Sequence, residues 1–184
     1  MFEQAIATVI GREGQFSNDP ADRGGATAWG ITEAVARAAG YAGPMATMPR
    51  DTAVDIYRRL YWAVPHLDRM AVVAPLLAAR LLDIGVNMGP PAGIRFLQRA
   101  LNGLNRRASD YPDIATDGVF GSGTQAALQA FLARRGGEGE RVLVFAIAAQ
   151  QAVRYLEIAE QDPSQEAFEY GWLRNRALGA GPTV

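Results

Sequence analysis

Phe2, Ala5, Ile6, Val9 and Ile10 recur at helical spacing, so the chain opens on an amphipathic helix from about Phe2 to Glu13, with Gly14 where a C-terminal glycine belongs. The periodicity then stops. Asn18-Asp19-Pro20 and Asp22-Arg23-Gly24-Gly25 are dense turn signals, and the flanking Gln15-Phe16-Ser17 and Ala26-Thr27-Ala28-Trp29 are short enough for a small β-hairpin. Helical spacing resumes afterwards. Thr32 caps a helix to about Ala39, Asp51 opens another to Trp62, and Ala71 to Val86, with Pro75 in its first turn, is apolar enough for a core helix. Gly89-Pro90-Pro91 ends that run, and Ile94, Leu97, Gln98 and Leu101 mark the next helix. The stretch from Asn102 to Phe120 is irregular, and Thr124 to Leu178 reads as three helices broken near Gly136-Gly137 and Asp162-Pro163. The pattern predicts a mainly α fold with one small β-hairpin near the N-terminus. The irregular stretch is the best lobe boundary, giving lobes at 1–104 and 105–184. No long flexible linker separates them, so the second is expected to pack onto the first as one integrated domain.

Composition narrows the chemistry. A chain of 184 residues with 49% hydrophobic residues has the make-up of an ordinary globular protein. With no cysteine there is neither a disulfide framework nor a thiolate metal site, and one histidine, His66, builds no His cluster. A metalloenzyme and a Ser-His-Asp hydrolase are therefore disfavoured, and no cofactor is expected. His66, after Pro65 in a loop, reads as a surface or packing residue. The net charge of −1 argues against a nucleic-acid binder. The N-terminus lacks a basic region and carries Glu3 early, so no signal peptide is expected. The densest apolar run, Val142 to Ala149, is far shorter than the roughly 20 residues of a membrane span.

What remains is carboxylate chemistry, and its best candidate is Glu13. At the negative end of a helix, an anion is disfavoured by the macrodipole and further by partial burial, and both raise a carboxyl pKa toward that of a general acid. A solvated glutamate at a frayed helix end is an equally good account of Glu13 alone. A hairpin after it would fold Asp22 and Thr27 back toward it. Glycosidases pair an acid with a second carboxylate that attacks the sugar or activates water. Asp22 suits that role better than Asp19, which precedes Pro20 and is explained as a turn former. Thr27 would hold the water, or simply fit a strand as a β-branched residue.

The run Glu-Gly-x-Phe-x-x-x-Pro-x-Asp-x-Gly-Gly-x-Thr-x-x-Gly-Ile-Thr, from Glu13 to Thr32, resembles the signature of glycoside hydrolase family 108, a group of phage endolysins and secretion-associated N-acetylmuramidases. The resemblance continues through Ile56-Tyr57-Arg58-Arg59-Leu60-Tyr61-Trp62, Leu82-Asp83-Ile84-Gly85-Val86-Asn87-Met88-Gly89-Pro90 and Phe96-Leu97-Gln98-Arg99-Ala100-Leu101, and reaches Gly171-Trp172-Leu173-Arg174-Asn175-Arg176. Asp117-Gly118-Val119-Phe120-Gly121-Ser122-Gly123-Thr124 is similar to an element of small peptidoglycan-binding modules, where a tight turn precedes a helix. Two positions depart from the family pattern. Gln15 stands where a second glycine is usual, and Arg23 stands where a neutral residue is common and would depress the pKa of Asp22 by pairing with it.

The resemblance implies a lysozyme-like helical fold that hydrolyses the β-1,4 bond between N-acetylmuramic acid and N-acetylglucosamine. Glu13 is then the acid, with Asp22 and Thr27 in the places of its partners. Trp29 and Tyr61 become candidate sugar-binding aromatics, whereas Trp62 and Trp172 read as core. Asn87 would either face a sugar N-acetyl group or close its helix. The implied partner is the peptidoglycan glycan strand, met by a monomer without nucleic acid or stable membrane insertion. The enzyme would be made in the bacterial cytoplasm without a signal peptide and released to the cell wall by a holin or a secretion apparatus. Net charge gives no global attraction to an anionic wall. Local steering would fall to Arg58-Arg59, Arg95, Arg99, Arg106-Arg107 and Arg134-Arg135, each equally readable as a solvated helix face. A lytic transglycosylase and a catalytically silent peptidoglycan-binding or secretion accessory protein are the competing readings.

Overall fold

The structure is a computed structural model that describes residues 2–13, 16–17 and 25–178, leaving aside the side chains at 4, 8, 9 and 11–13. The described chain is mainly helical with a small three-stranded antiparallel sheet. It divides into two compact units, residues 1–64 and 65–184.

The first unit begins with α1 (Phe2–Glu13), followed by β1 (Phe16–Ser17), β2 (Thr27–Ala28), β3 (Ile31–Thr32), α2 (Glu33–Ala38) and α3 (Arg50–Tyr57). The α1 periodicity has the expected outcome, since Ile6 and Ile10 are buried. The strands pair in order with Ser17 opposite Thr27 and Ala28 opposite Ile31, so the hairpin foreseen in the sequence gains a third strand. Trp29 and Gly30, both at positive φ (54° and 79°), form the two-residue link between β2 and β3. Positive φ at both central residues is the pattern whose twist matches antiparallel strands. Thr32 caps α2 through its Oγ, which accepts from the Val35 amide at 3.4 Å. After α3 the backbone widens into a π-helical turn over Arg58–Ala63, where a continuous helix to Trp62 was predicted. That turn is strapped to α1. The Phe2 and Trp62 rings lie 5.4 Å apart, Arg58 sits 5.0 Å over the Phe2 ring, and Arg58 pairs with Glu3 at 2.7 Å.

The second unit contains α4 (Leu67–Val73), α5 (Pro75–Met88), α6 (Pro90–Leu104), α7 (Ser122–Gln161) and α8 (Glu166–Trp172), closed by a π-helical turn over Leu173–Leu178. Leu77, Leu82 and Ile84 of α5, Ile94 and Leu97 of α6, and Leu143 and Ile147 of α7 form its core. The single helix predicted over Ala71–Val86 is two helices. Pro75 disfavours the α conformation at Ala74, which adopts φ −146°, ψ 74° and separates α4 from α5. Helix α7 carries the foreseen break at Gly136 (φ 57°, ψ −149°), and the next falls at Asp162-Pro163. The irregular stretch from Asn102 to Phe120 lies inside this unit, tied to α6. Asn102 Nδ2 donates to the Ile114 carbonyl at 2.8 Å and its Oδ1 accepts from the Ile114 amide at 2.9 Å. By length and composition α7 is apolar enough to cross a membrane, and it buries Leu143, Val144, Ile147 and Tyr155 within the unit.

Candidate active site

In the first unit, Glu13 is the last residue of α1, and β1 starts at Phe16. The β1–β2 register sets Ser17 against Thr27, so the sheet returns Thr27 to the strand that directly follows the end of the helix. Thr27 is half-buried, and its hydroxyl donates to the Gly25 carbonyl at 3.3 Å. The Glu13 side chain lies outside the described residues. So do Asp22, Gln15 and Arg23 entirely.

Trp29 is fixed at both ends. Its indole Nε1 donates to the Met48 carbonyl at 2.8 Å, and its own carbonyl accepts from the Tyr57 hydroxyl at 2.9 Å. A non-glycine residue at φ 54° is an uncommon backbone state, and these two bonds hold it there. The half-buried indole is thus a rigid aromatic one turn away from Thr27. Tyr61 lies in the π-helical turn, 5.4 Å from the Tyr57 ring at a 50° tilt, and burial raises its phenol pKa. Tyr57 and Trp62 are buried in the core of this unit. The first unit therefore brings Thr27, Trp29, Tyr57 and Tyr61 into one linked set that begins at the strand after Glu13.

Asn87 belongs to the second unit, near the end of α5. Its Oδ1 accepts from the Tyr155 hydroxyl at 2.7 Å, which joins α5 to α7. That bond is one link in a buried polar chain the sequence reading passed over. Arg80 donates to the Arg176 carbonyl at 2.6 Å and to Gln151 Oε1 at 2.5 Å, and Gln151 donates to the Tyr155 hydroxyl at 2.9 Å. Arg176 lies 3.7 Å from Asp83. The signal was present, because Arg80 and Asp83 are charges three residues apart inside an otherwise apolar helix. Trp172 stacks 5.3 Å from Tyr155 beside the same chain.

The Asp117–Thr124 element is a structural knot. Gln98 Nε2 donates to Asp117 Oδ1, the Val119 carbonyl and Thr124 Oγ at 2.8, 3.0 and 3.0 Å, and Gln98 Oε1 accepts from the Gly118 amide at 2.9 Å. The hydrogen bond from the Val119 amide is the main cause that lowers the Asp117 pKa, with Gln98 next. Among the described residues no group of three or more His, Cys, Asp or Glu side chains is arranged to hold a metal ion.

Comparison with known proteins divides the chain later than the two compact units do, and places α4 and α5 with the N-terminal segment. Residues 6–89 match the family described as Glycosyl hydrolase 108, and residues 92–177 match the Predicted Peptidoglycan domain. Among solved structures, that of Brucella abortus SagA is similar over 99% of this chain and 96% of its own, with 24% identity and a TM-score of 0.67, which establishes a shared fold. No curated protein is similar enough to count as a match. The two family segments together span nearly the whole chain and meet between α5 and α6: a segment that matches the glycosyl hydrolase 108 family is followed by one that matches a peptidoglycan domain, a pairing that supports peptidoglycan hydrolase activity.

Proposed function

We propose that the protein is an N-acetylmuramidase that cleaves the β-1,4 bond between N-acetylmuramic acid and N-acetylglucosamine, with Glu13 as general acid. The observation that carries this reading is the position of Glu13. It is the last residue of α1, within the glycosidase segment, and the following strand pairs with the one that bears Thr27. The C-terminal helix dipole favours the protonated acid. Glu13 donates its proton to the glycosidic oxygen as the C–O bond breaks. Asp22 acts as the base that takes a proton from the attacking water, and Thr27 holds that water. A carboxyl separation of about 6.5–9.5 Å, which leaves room for water, goes with inversion at the anomeric carbon, and inversion is the course proposed. Trp29 and Tyr61 supply aromatic surface for the sugar rings.

The competing reading, a lytic transglycosylase, needs only the acid, because the muramic acid 6-hydroxyl closes on its own anomeric carbon. Asp22 and Thr27 favour hydrolysis, since a transglycosylase has no use for a positioned water. The role of Glu13 is tested by turnover of purified peptidoglycan. Glu13→Gln is expected to lower the rate by roughly 10²–10⁴-fold while leaving the thermal midpoint within a few degrees of wild type. Full turnover by the folded variant would remove Glu13 from the mechanism. For the setting, the enzyme acts in the cell wall after release from the cytoplasm, working as a monomer.

A further inference from the structure

The second unit carries a groove that glycosidic chemistry does not use. It lies where the end of α6 meets the kinked part of α7, encloses about 290 Å³, and is lined by Leu104, Phe131, Arg134, Arg135, Glu138 and Val142 together with Gly139. Leu104, Phe131 and Val142 make part of this lining apolar. Beside it the chain makes a turn in which Arg106, Arg107 and Ala108 all adopt left-handed φ (57°, 60° and 58°). Asn105 holds the turn, its Oδ1 accepting from the Ala108 amide at 3.0 Å and its amide donating to the Asp113 carboxylate. Three successive non-glycine residues in this region form an uncommon and costly conformation. Here it brings Arg106 to Asp110, the carboxylate that the groove-lining Arg134 also approaches, with Arg107 next to it in the turn.

The charges do not cancel. Arg106 and Arg134 approach the same oxygen of Asp110, at 3.6 and 3.3 Å, and both remain more than half exposed while Asp110 is buried. Two guanidiniums therefore share one carboxylate. Arg135 sits 5.5 Å over the Phe131 ring, and neither it nor Arg107 forms an ion pair among the described residues. Against these four arginines stand three carboxylates, Asp110, Asp113 and Glu138, one of them engaged by Asn105. The exposed guanidiniums offer donors in a planar fork that matches a carboxylate, and the neighbouring apolar wall suits an aliphatic side chain.

We infer that this groove is a binding subsite for the carboxylate-bearing peptides that hang from peptidoglycan strands. The inference rests on the peptidoglycan hydrolase assignment but concerns a different part of the substrate. N-acetylated sugars are neutral apart from the lactyl carboxyl, which is capped by the peptide, so an intact glycan backbone gives the arginines nothing to pair with. Short peptides with free α-carboxylates and small aliphatic side chains supply both complements. The matched peptidoglycan domain spans the groove, and all of its lining residues fall within 92–177.

The test is NMR titration of the full chain with a synthetic stem tetrapeptide in its free-acid form, repeated with the same peptide amidated at its carboxyls. The free acid is expected to shift amide signals from Leu104 to Asp110 and from Phe131 to Val142, with binding at least roughly tenfold weaker for the amidated peptide and for Arg135→Glu. Arg107→Glu, at an exposed position of the turn, is expected to weaken binding as well. Equal binding of acid and amide, shifts elsewhere in the chain, or unchanged affinity in both variants would overturn the subsite. A protein that binds the peptide in this way yet leaves peptidoglycan uncut would refute the glycosidase proposal and support the subsite. Normal cleavage without peptide binding would do the reverse.

Discussion

At Gly118 the backbone stands at φ +82°, and a Cβ there would lie 2.8 Å from the Pro91 carbonyl oxygen. Gly118→Ala combines a left-handed penalty with that clash, so it should cost about 2 kcal/mol or more in urea unfolding. A cost below about 0.5 kcal/mol would mean that the turn relaxes freely. The neighbouring Asp117 links the same turn to pH. Its carboxylate is favoured in the folded state by the Val119 amide and Gln98, so its pKa is depressed. Its contribution to stability is present above the ordinary carboxylate range and is lost as pH falls through the folded pKa. Asp117→Ala should therefore flatten the acid limb of a plot of thermal midpoint against pH, and an unchanged limb would refute the linkage. The sequence made the Asp117-Gly118 turn readable because the turn chemistry is local. It did not reveal Gln98 as the partner that fills the turn, since that contact spans two elements.

Helix α5 begins without a capping side chain of its own, because Ala74 occupies the N-cap position and Pro75 follows. The acceptor comes from elsewhere. Glu140 of α7 accepts from the helix-end amides of Leu76 and Leu77, at 2.7 and 3.1 Å, and is itself buried. A carboxylate at this helix end satisfies orphan donors and complements the positive end of the dipole. Glu140→Ala is expected to destabilise the second unit by about 1–3 kcal/mol in denaturant titration, with Glu140→Gln recovering part of the loss because its carbonyl still accepts. Equal stability of wild type and alanine variant would contradict the cap. Elements set by local rules were legible in the sequence: α1, the strand pairing, the Thr32 cap and the Gly136 break. Elements set by distant partners were not. The π-helical turn at Arg58–Ala63 has no composition signal, and a proline that suits a helix's first turn does not by itself disclose that Ala74 before it breaks the run.

Across the molecule, the mainly helical fold with its small sheet was legible in the sequence, which also singled out carboxylates as the candidate chemistry. The carboxylates of the glycosidase segment stood out because cysteine and histidine chemistry were nearly absent, whereas the buried Arg80–Gln151–Tyr155–Asn87 chain is assembled from two helices far apart in sequence. That chain predicts how the protein responds to alkali. Burial pushes Tyr155 up to about 12, and Tyr111 up to about 12, so the folded state keeps both phenols neutral. A tyrosine in the unfolded chain ionises near 10, so stability contributed by these groups is complete below about pH 10 and is lost as pH rises toward 12. Tyr155→Phe should unfold about 1–2 kcal/mol more easily near neutrality, through loss of the bonds to Asn87 and Gln151, and should show a shallower alkaline decline than wild type. Parallel declines for the two proteins would exclude Tyr155 as a source.

The glycosidase account itself turns on what the enzyme releases. Mass spectrometry of soluble fragments from purified peptidoglycan, digested in ordinary water and in heavy-oxygen water, reads the identity of the new end directly. A muramidase with Glu13 as acid yields fragments ending in reducing N-acetylmuramic acid that carry one heavy oxygen, and Glu13→Gln yields almost none. Fragments ending in anhydro-muramic acid without heavy oxygen, or no soluble fragments from folded wild-type protein, would contradict it.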